Sequence, residues 1–269
     1  MRQNRFPVVL FGLFCGICLF FLLPQRVMAA SCPATDGGAG DDDGLVNGII
    51  TINGNATWTP TDGTTWDCSG LDVYVTNSAT LTFSSDTTNG YYGWLSVDNV
   101  TIDSGSSISS NSKGCTFASG SSTNGYGPNG SNICTISTAG YGYSNGGGAG
   151  GYGGAGGAGV GASSGAGGTT YGSSIAPTFF GSSSGRNFFA ATGSGGGVVR
   201  LDISETLTLN GTISANGGNG NTFGTNIATG GGSGGSVYIT TGTFAGSTGT
   251  LTATGGNGAN NTDADGGGG

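Results

Sequence analysis

The carboxylates are the side chains of this sequence best suited to acid–base chemistry, because the chain of 269 residues contains no histidine. The missing imidazoles exclude Ser-His and Cys-His nucleophile pairs and histidine metal sites. The candidate carboxylates are Asp98, Asp103, Asp202 and Glu205, with Arg200 close to the last two. Cleavage of a glycoside by two carboxyl groups needs them about 5 to 9 Å apart in a cleft. Alignment of the internal repeats places Asp202 and Glu205 over uncharged residues, so we interpret them as solvated turn residues and predict no catalytic residue.

Two acidic turns could hold calcium. The segment NTDADG, Asn261–Gly266, matches the first half of a calcium loop, with oxygen ligands at alternate positions before a glycine turn. The bidentate acid of such a loop would lie beyond Gly269. The segment Asp41–Gly44 is a weaker match, since an ordinary acidic turn explains it equally well. We therefore predict no metal or cofactor site, and calcium is the one ion that these motifs leave open.

Threonine pairs that flank leucines raise the hypothesis of a flat, ice-binding array. The pairs flank Leu81, Leu207 and Leu251. The repeat alignment groups Thr80 and Thr82 with Thr206 and Thr208, but it places the pair around Leu251 with Thr212 and Ser214 on another side. We therefore predict a broken array and ordinary strand threonines.

The first 29 residues resemble a secretory signal peptide. Arg2 and Arg5 precede an apolar run, Val8–Leu23, and small residues suited to a signal peptidase end at Ala29. A membrane anchor is the alternative, but the run is shorter than the ~20 residues that span a bilayer. A lipoprotein site at Cys32 is disfavoured by Arg26. We expect a secreted or cell-surface protein whose mature chain has no membrane span.

The net charge indicates which classes of partner the protein can bind, and the cysteine content indicates the redox compartment in which it folds. Cleavage after Ala29 would leave 14 carboxylates and three basic residues, namely Lys113, Arg186 and Arg200. This charge excludes binding to a phosphate backbone, so no nucleic-acid partner is expected. Four cysteines would remain, which allows two disulfides in three pairings. We expect sequence neighbours to pair, Cys32 with Cys68 and Cys115 with Cys134.

Internal repeats reveal the architecture. GTISANGGNG (211–220) returns as GTLTATGGNG (249–258), 38 positions later, and GSGGGVV (193–199) returns as GSGGSVY (232–238), 39 positions later. A third alignment lays DVYVTNSATLTF (72–83) over VVRLDISETLTL (198–209) with an offset of 126. The intervening WLSVDNVTID has the same alternation. Apolar residues at every second position predict strands of three or four residues with one buried face.

Such short strands bury too little surface to fold as separate hairpins. Stacking coil upon coil gives them a shared core and pairs each strand with those above and below. The sequence therefore predicts an all-β fold, a right-handed parallel β-helix with long glycine-rich insertions. The predicted divisions are signal peptide 1–29, N-terminal capping segment 30–70, first coils 71–110, insertion 111–194, and further coils 195–269 that end incomplete.

The insertion is rich in glycine and aromatic residues. Its centre, Asn145–Gly168, has no alternation to bury, and the composition leaves open whether it is mobile or a lobe of closely packed backbones. The aromatic residues favour partial order. They are Tyr126, Tyr141, Tyr143, Tyr152, Tyr171, Phe179, Phe180, Phe188 and Phe189.

The motifs GSGGGVVRLDI, LTLNGTISANGGNG and GGGSGGSVYI resemble a pattern of secreted, glycine-rich parallel β-helix proteins of microbial and plant cell surfaces. VYVTNSATLTF is similar to the first coil of pectin-lyase-like β-helices, and YGSSIAPTFFGSSSG resembles a segment that precedes such coils. This resemblance implies the architecture and not an activity, because adhesins and polysaccharide enzymes share it. The Asn-Asp, Asp-Asp and Arg-His-Gly signatures of polygalacturonases are absent.

These observations favour a non-catalytic surface protein, adhesive or structural, whose loops contact matrix or carbohydrate. A polysaccharide lyase or hydrolase with its site completed by further coils is the alternative. Self-association of a wall component is a third hypothesis.

Overall fold

The computed structural model describes residues 32–33, 48–63, 65–117, 124–141, 148–161, 164–185, 192–224 and 227–261, without the side chains of 137–141 and 223. Within these ranges the chain forms strands and no helix, which confirms the all-β class. Glycine, threonine and the other β-branched residues that dominate the sequence are poor helix formers. The strands are β1 Ile49–Ile52, β2 Ala56–Trp58, β3 Trp66–Val75, β4 Thr80–Phe83, β5 Gly93–Ile102, β6 Ser107–Ser109, β7 Asn124–Pro128, β8 Cys134–Tyr141, β9 Val198–Leu209, β10 Thr212–Ser214, β11 Thr222–Phe223, β12 Ile227–Ala228, β13 Ser236–Ala245 and β14 Thr250–Thr252.

Ten of these strands form two parallel sheets of five. The first sheet has the order β1-β3-β5-β9-β13, and the second has the order β2-β4-β6-β10-β14. Each strand of the first sheet is followed in the sequence by one of the second, so the chain alternates between the sheets. β1 and β2 precede residue 71, so strand pairing already occurs within the predicted capping segment.

The inward side chains of both sheets form one hydrophobic core. Val73, Leu81, Val199 and Leu207 belong to the same buried cluster, which confirms the shared interior expected from the sequence. Burying a side chain such as Leu81 contributes about 1.5 to 3 kcal/mol. At the β2 end the core is aromatic, with Trp58, Trp66 and Phe83 in contact.

The strand pairing corrects two sequence alignments. Val73 pairs with Val100, which in turn pairs with Leu207, so the offset of 126 that laid Val73 over Val199 is wrong. The offset of 39 is wrong by one, since Val199 pairs with Val237. A shift of one residue exchanges the inward and outward faces of a strand. The 38-residue repeat is confirmed by pairing of β10 with β14.

The two sheets differ in strand length and regularity. β3, β5 and β13 have 10 residues and β9 has 12, longer than the three or four expected. Their ladders are interrupted by bulges, for example between Val97 and Val100. Strands of the second sheet have three or four residues and pair without a register shift. The second sheet therefore matches the strand length expected from the sequence.

Glycine-rich segments lie beside the sheets and bond to several neighbours. Segment 193–196 donates amide hydrogen bonds to segment 230–233 at two positions three residues apart, with lengths of 3.3 and 2.9 Å. Segment 232–235 donates to segment 215–218 at the same interval. A three-residue period is that of an extended polyproline II chain and differs from the two-residue period of a strand. We call these segments, with 148–161 and 164–185, the glycine lobe.

Close backbone approach requires the missing Cβ atoms in the glycine lobe. A Cβ on Gly195 would lie 2.0 Å from the carbonyl oxygen of Gly181, and one on Gly232 would lie 2.1 Å from that of Ser194. A Cβ on Gly156 would lie 2.4 Å from the carbonyl oxygen of Ala149. The described part of Asn145–Gly168 is therefore a closely packed lobe, one of the two options that the sequence left open.

Two disulfides join the sequence neighbours, as expected. Cys32 is bonded to Cys68, and Cys115 to Cys134. The second disulfide links Cys115, which hydrogen-bonds to Gly181 and Gly195 of the lobe, to the antiparallel hairpin of β7 and β8. It packs on the fully buried Phe180.

Candidate functional site

The carboxylates identified in the sequence lie along the outward side of the first sheet. The Asp103 Oδ2 accepts hydrogen bonds from the Tyr74 hydroxyl at 2.5 Å and the Thr76 hydroxyl at 2.8 Å. The Asp98 Oδ1 accepts from the Gly70 amide at 2.9 Å and the Ser204 hydroxyl at 3.2 Å. These bonds connect neighbouring strands and bulges, so both aspartates have structural contacts.

An amide joins two carboxylates that sequence reasoning did not pair. The Asn99 Nδ2 donates to Asp72 Oδ1 and to Glu205 Oε2, each at 2.9 Å, so the two oxygens are at most twice that distance apart. Asp72 and Asn99 pair directly across the bulges of β3 and β5. This upper limit overlaps the short end of the separations found between glycosidase carboxylates. Glu205 is exposed, however, and no described cleft encloses the pair. Nothing in the sequence indicated that these two carboxylates meet. Their meeting depends on bulges in the strands of the first sheet, and strict alternation does not predict bulges.

Arg200 lies between two aromatic rings on the same outward side. Its guanidinium carbon is 3.5 Å from the centre of the Trp94 ring and 5.4 Å from that of Tyr238. Trp94, Arg200 and Tyr238 pair directly across β5, β9 and β13. The Asp202 Oδ2 accepts from the Trp94 indole at 2.6 Å and from the guanidinium at 3.2 Å. This cation–π and ionic cluster stabilises the outer side of three strands by about 1 kcal/mol.

An uncharged cleft of about 600 Å³ lies where the glycine lobe meets the last described strands. Tyr152 and Pro177 form part of one wall, and Val237, Leu251 and Thr252 of β13 and β14 form part of the other. Leu251 is 48% exposed because no further strand covers it among the described residues. The described lining contains no carboxylate, amine or guanidinium. It can therefore offer hydroxyls, backbone amides and an aromatic ring, and no acid or base for catalysis at neutral pH.

The tyrosine wall of this cleft is fixed by hydrogen bonds. The Tyr152 hydroxyl donates to Ser236 Oγ at 2.5 Å, and Ser236 Oγ donates to the Phe179 carbonyl at 2.7 Å. The ring of Tyr152 contacts Tyr171 edge-on, with centroids 4.9 Å apart. Burial raises the pKa of both hydroxyls, more strongly for Tyr171. Both therefore stay neutral hydrogen-bonding groups at physiological pH.

The two calcium motifs lie mostly outside the described residues. Asp41–Gly44 is not described, and of Asn261–Gly266 only Asn261 is. The Asn261 side-chain amide donates to the carbonyls of Gly224 and Ile227 at 3.2 and 3.0 Å. The described residues contain no group of three or more acidic or cysteine side chains placed to hold a metal ion.

The structure regroups the threonine pairs. Alignment of the pair around Leu251 with Thr212 and Ser214 is confirmed, whereas the grouping of Thr80 and Thr82 with Thr206 and Thr208 is wrong. Thr80 and Thr82 lie on the second sheet, whereas Thr206 and Thr208 lie on the first. The second-sheet ladder connects Thr80 through Ser107 and Thr212 to Thr250. The error followed from the 126-residue alignment, which equated β4 with the end of β9.

No family model, curated protein or solved structure matches this chain. Among the described residues, no helix is long and apolar enough to cross a membrane. The two disulfides are compatible with an extracellular protein.

Proposed function

We propose that this chain is a non-catalytic protein of the extracellular space or cell surface that binds neutral carbohydrate in the cleft beside its glycine lobe. The observation that carries the proposal is the uncharged lining of that cleft, which combines a ring, hydroxyls and backbone groups. Sugar rings pack on aromatic side chains, and their hydroxyls bond to serine, threonine and the backbone. The resemblance of residues 1–29 to a signal peptide and the two disulfides support an extracellular location.

The scaffold in this proposal is a right-handed parallel β-helix. Five successive strand pairs alternate between two parallel sheets around one core, as stacked coils would. Crossovers between parallel strands of one sheet are almost always right-handed, which supports that hand here. A stiff scaffold of this kind holds the strand wall of the cleft in place while the lobe supplies the other wall.

Charge favours a neutral glycan over a uronic acid polymer. The whole chain has a formal net charge of -8, which repels an anionic polymer. Without a cationic group in the described lining, a uronate would lose hydration without gaining a partner. We therefore expect neutral oligosaccharides to bind and polygalacturonate to be rejected.

The test is a glycan array followed by calorimetry on the mature chain. Tyr152→Ala should weaken binding about tenfold, since it removes one wall of the cleft. Tyr238→Ala is the matched control, because it removes a tyrosine from the outer side of the first sheet and should leave affinity unchanged. Wild-type protein that binds no neutral glycan, or variants that lose affinity equally, would contradict the proposal.

The paired carboxylates of Asp72 and Glu205 favour a second candidate, cleavage of a polysaccharide on the first sheet. The leading proposal predicts no reducing ends when the chain is incubated with neutral or uronic polymers, with or without calcium. Release of products that disappears in Glu205→Gln but persists in Tyr152→Ala would establish the second candidate in place of the first.

A further inference from the structure

The outward side of the second sheet carries only hydroxyl side chains in two columns along the strands. We call these columns the hydroxyl face. One column contains Thr80, Ser107, Thr212 and Thr250. The other contains Thr57, Thr82, Ser109, Ser214 and Thr252, and of these Ser214 is covered, with only 4% of its surface exposed. Each hydroxyl residue alternates with an inward apolar residue such as Leu81 or Ile108, so burial of the core forces the columns outward.

The columns are straight because the second sheet has no bulge. Its four strand pairings run without a register shift. Parallel strands are about 4.8 Å apart, and alternate residues of one strand are about 6.6 Å apart, so the hydroxyls form a two-dimensional lattice. The bulged ladders of the first sheet cannot form such a lattice.

Side-chain and backbone contacts order this lattice before any partner binds. Thr80 Oγ1 and Ser107 Oγ are 3.0 Å apart, within hydrogen-bonding distance. Beside the columns, Asn111 Oδ1 accepts from the Asn216 amide at 2.6 Å, and Asn216 Oδ1 accepts from the Thr254 amide at 2.9 Å. Threonine has a stiff χ1, so the array loses little conformational entropy on binding.

The chemistry of the hydroxyl face differs from that of the first sheet. Within the described strands, the face has no charged and no aromatic side chain, whereas the first sheet presents Trp94, Arg200, Asp202 and Tyr238. Among the described residues, charged side chains therefore lie elsewhere, and the hydroxyl face is a regular, uncharged side. A face without aromatic rings cannot stack on sugars, and a face without charge cannot pair with an ion.

We propose that the hydroxyl face binds ice. The matching partner is an extended, uncharged lattice of hydrogen-bonding groups. Hexagonal ice is such a lattice, and its repeat distances are of the same order as the spacing between neighbouring strands and the spacing between the two columns. Threonine hydroxyls can take lattice positions, while threonine methyl groups order the adjoining water. This activity is distinct from glycan binding, because the face and the described lining of the cleft share only Thr252, at the edge of β14.

The experiment measures thermal hysteresis and adsorption of fluorescently labelled protein to a single ice crystal, using the mature full chain. Wild-type protein is expected to adsorb to the crystal and to lower the freezing point below the melting point. Thr82→Tyr, in the middle of the face, should abolish both effects. Thr208→Tyr is the matched control on the outward side of the first sheet and should retain both.

A gain-of-function variant keeps the test independent of any folding defect. Ser109→Thr adds a methyl group at one of the serines of the second column and should increase hysteresis at equal concentration. The proposal is overturned if wild-type protein neither adsorbs to ice nor gives hysteresis, or if Thr208→Tyr abolishes the effect as completely as Thr82→Tyr. Adsorption to crystalline cellulose or chitin without adsorption to ice would also overturn it.

Discussion

At the residue scale, burial determines the chemistry of Tyr171. Its hydroxyl donates to the Phe180 carbonyl at 2.7 Å and accepts from Ser182 Oγ at 2.7 Å. Burial raises its pKa, since a phenolate would lose its hydration inside the lobe. The sequence indicated only that tyrosines cluster in this insertion; which one is enclosed follows from the packing.

We expect the lobe to lose stability in alkali. Since folding raises the pKa of Tyr171, the unfolded chain ionises first, near the ordinary value of 10.0. The contribution of the Tyr171 hydroxyl to the free energy of unfolding is therefore complete below that pH and declines as the pH rises further. Tyr171→Phe should therefore flatten the decline in the free energy of unfolding above pH 10.0, measured by urea denaturation. Tyr152 shifts in the same direction and should leave a residual slope. An unchanged slope in the variant would contradict this assignment.

At the element scale, the extended segments of the glycine lobe depend on close backbone contact. Replacing a glycine with alanine tests this dependence, because the added Cβ would clash with neighbouring backbone at some glycines and would meet nothing at others. A Cβ on Gly195 would meet the Gly181 carbonyl oxygen at 2.0 Å, whereas nothing lies within 4 Å of a Cβ on Gly153.

Gly195→Ala should lower the free energy of unfolding by about 1 to 3 kcal/mol or more, because the neighbouring backbones must separate. Gly153→Ala should change it by less than about 0.5 kcal/mol, as expected for an open surface position. Chemical denaturation of both variants measures the difference. Equal effects would show that the segments do not pack as described.

At the scale of the whole molecule, the two disulfides stabilise different regions. Cys32–Cys68 ties the N-terminal segment to β3. Cys115–Cys134 ties the segment after β6, which hydrogen-bonds to Gly181 and Gly195 of the lobe, to the β7–β8 hairpin. The bonded cysteines are 36 and 19 residues apart in the sequence, so each disulfide closes a loop and restricts the unfolded chain. Their placement predicts regional rather than uniform effects of their removal.

The double substitution Cys115→Ser with Cys134→Ser should cost about 2 to 4 kcal/mol. Hydrogen exchange should speed up in β7, β8 and around Phe180, while the amides of β3, β5 and β9 remain protected. The matching pair, Cys32→Ser with Cys68→Ser, should instead expose β1 and β3. Loss of protection throughout both sheets in the first variant would mean that the lobe and the sheets unfold together.

The sequence alone determined the all-β class, the shared interior of Val73, Leu81, Val199 and Leu207, and the 38-residue repeat of β10 and β14. These features follow from local alternation and from near-identical repeats. For the disulfides the sequence left three pairings open, and the structure decided in favour of the sequence neighbours. The tertiary structure decided the register of β3 against β9, the meeting of Asp72 with Glu205, and the straight hydroxyl face. Register is non-local: bulges and insertions shift the pairing of distant strands without changing the alternation within any of them.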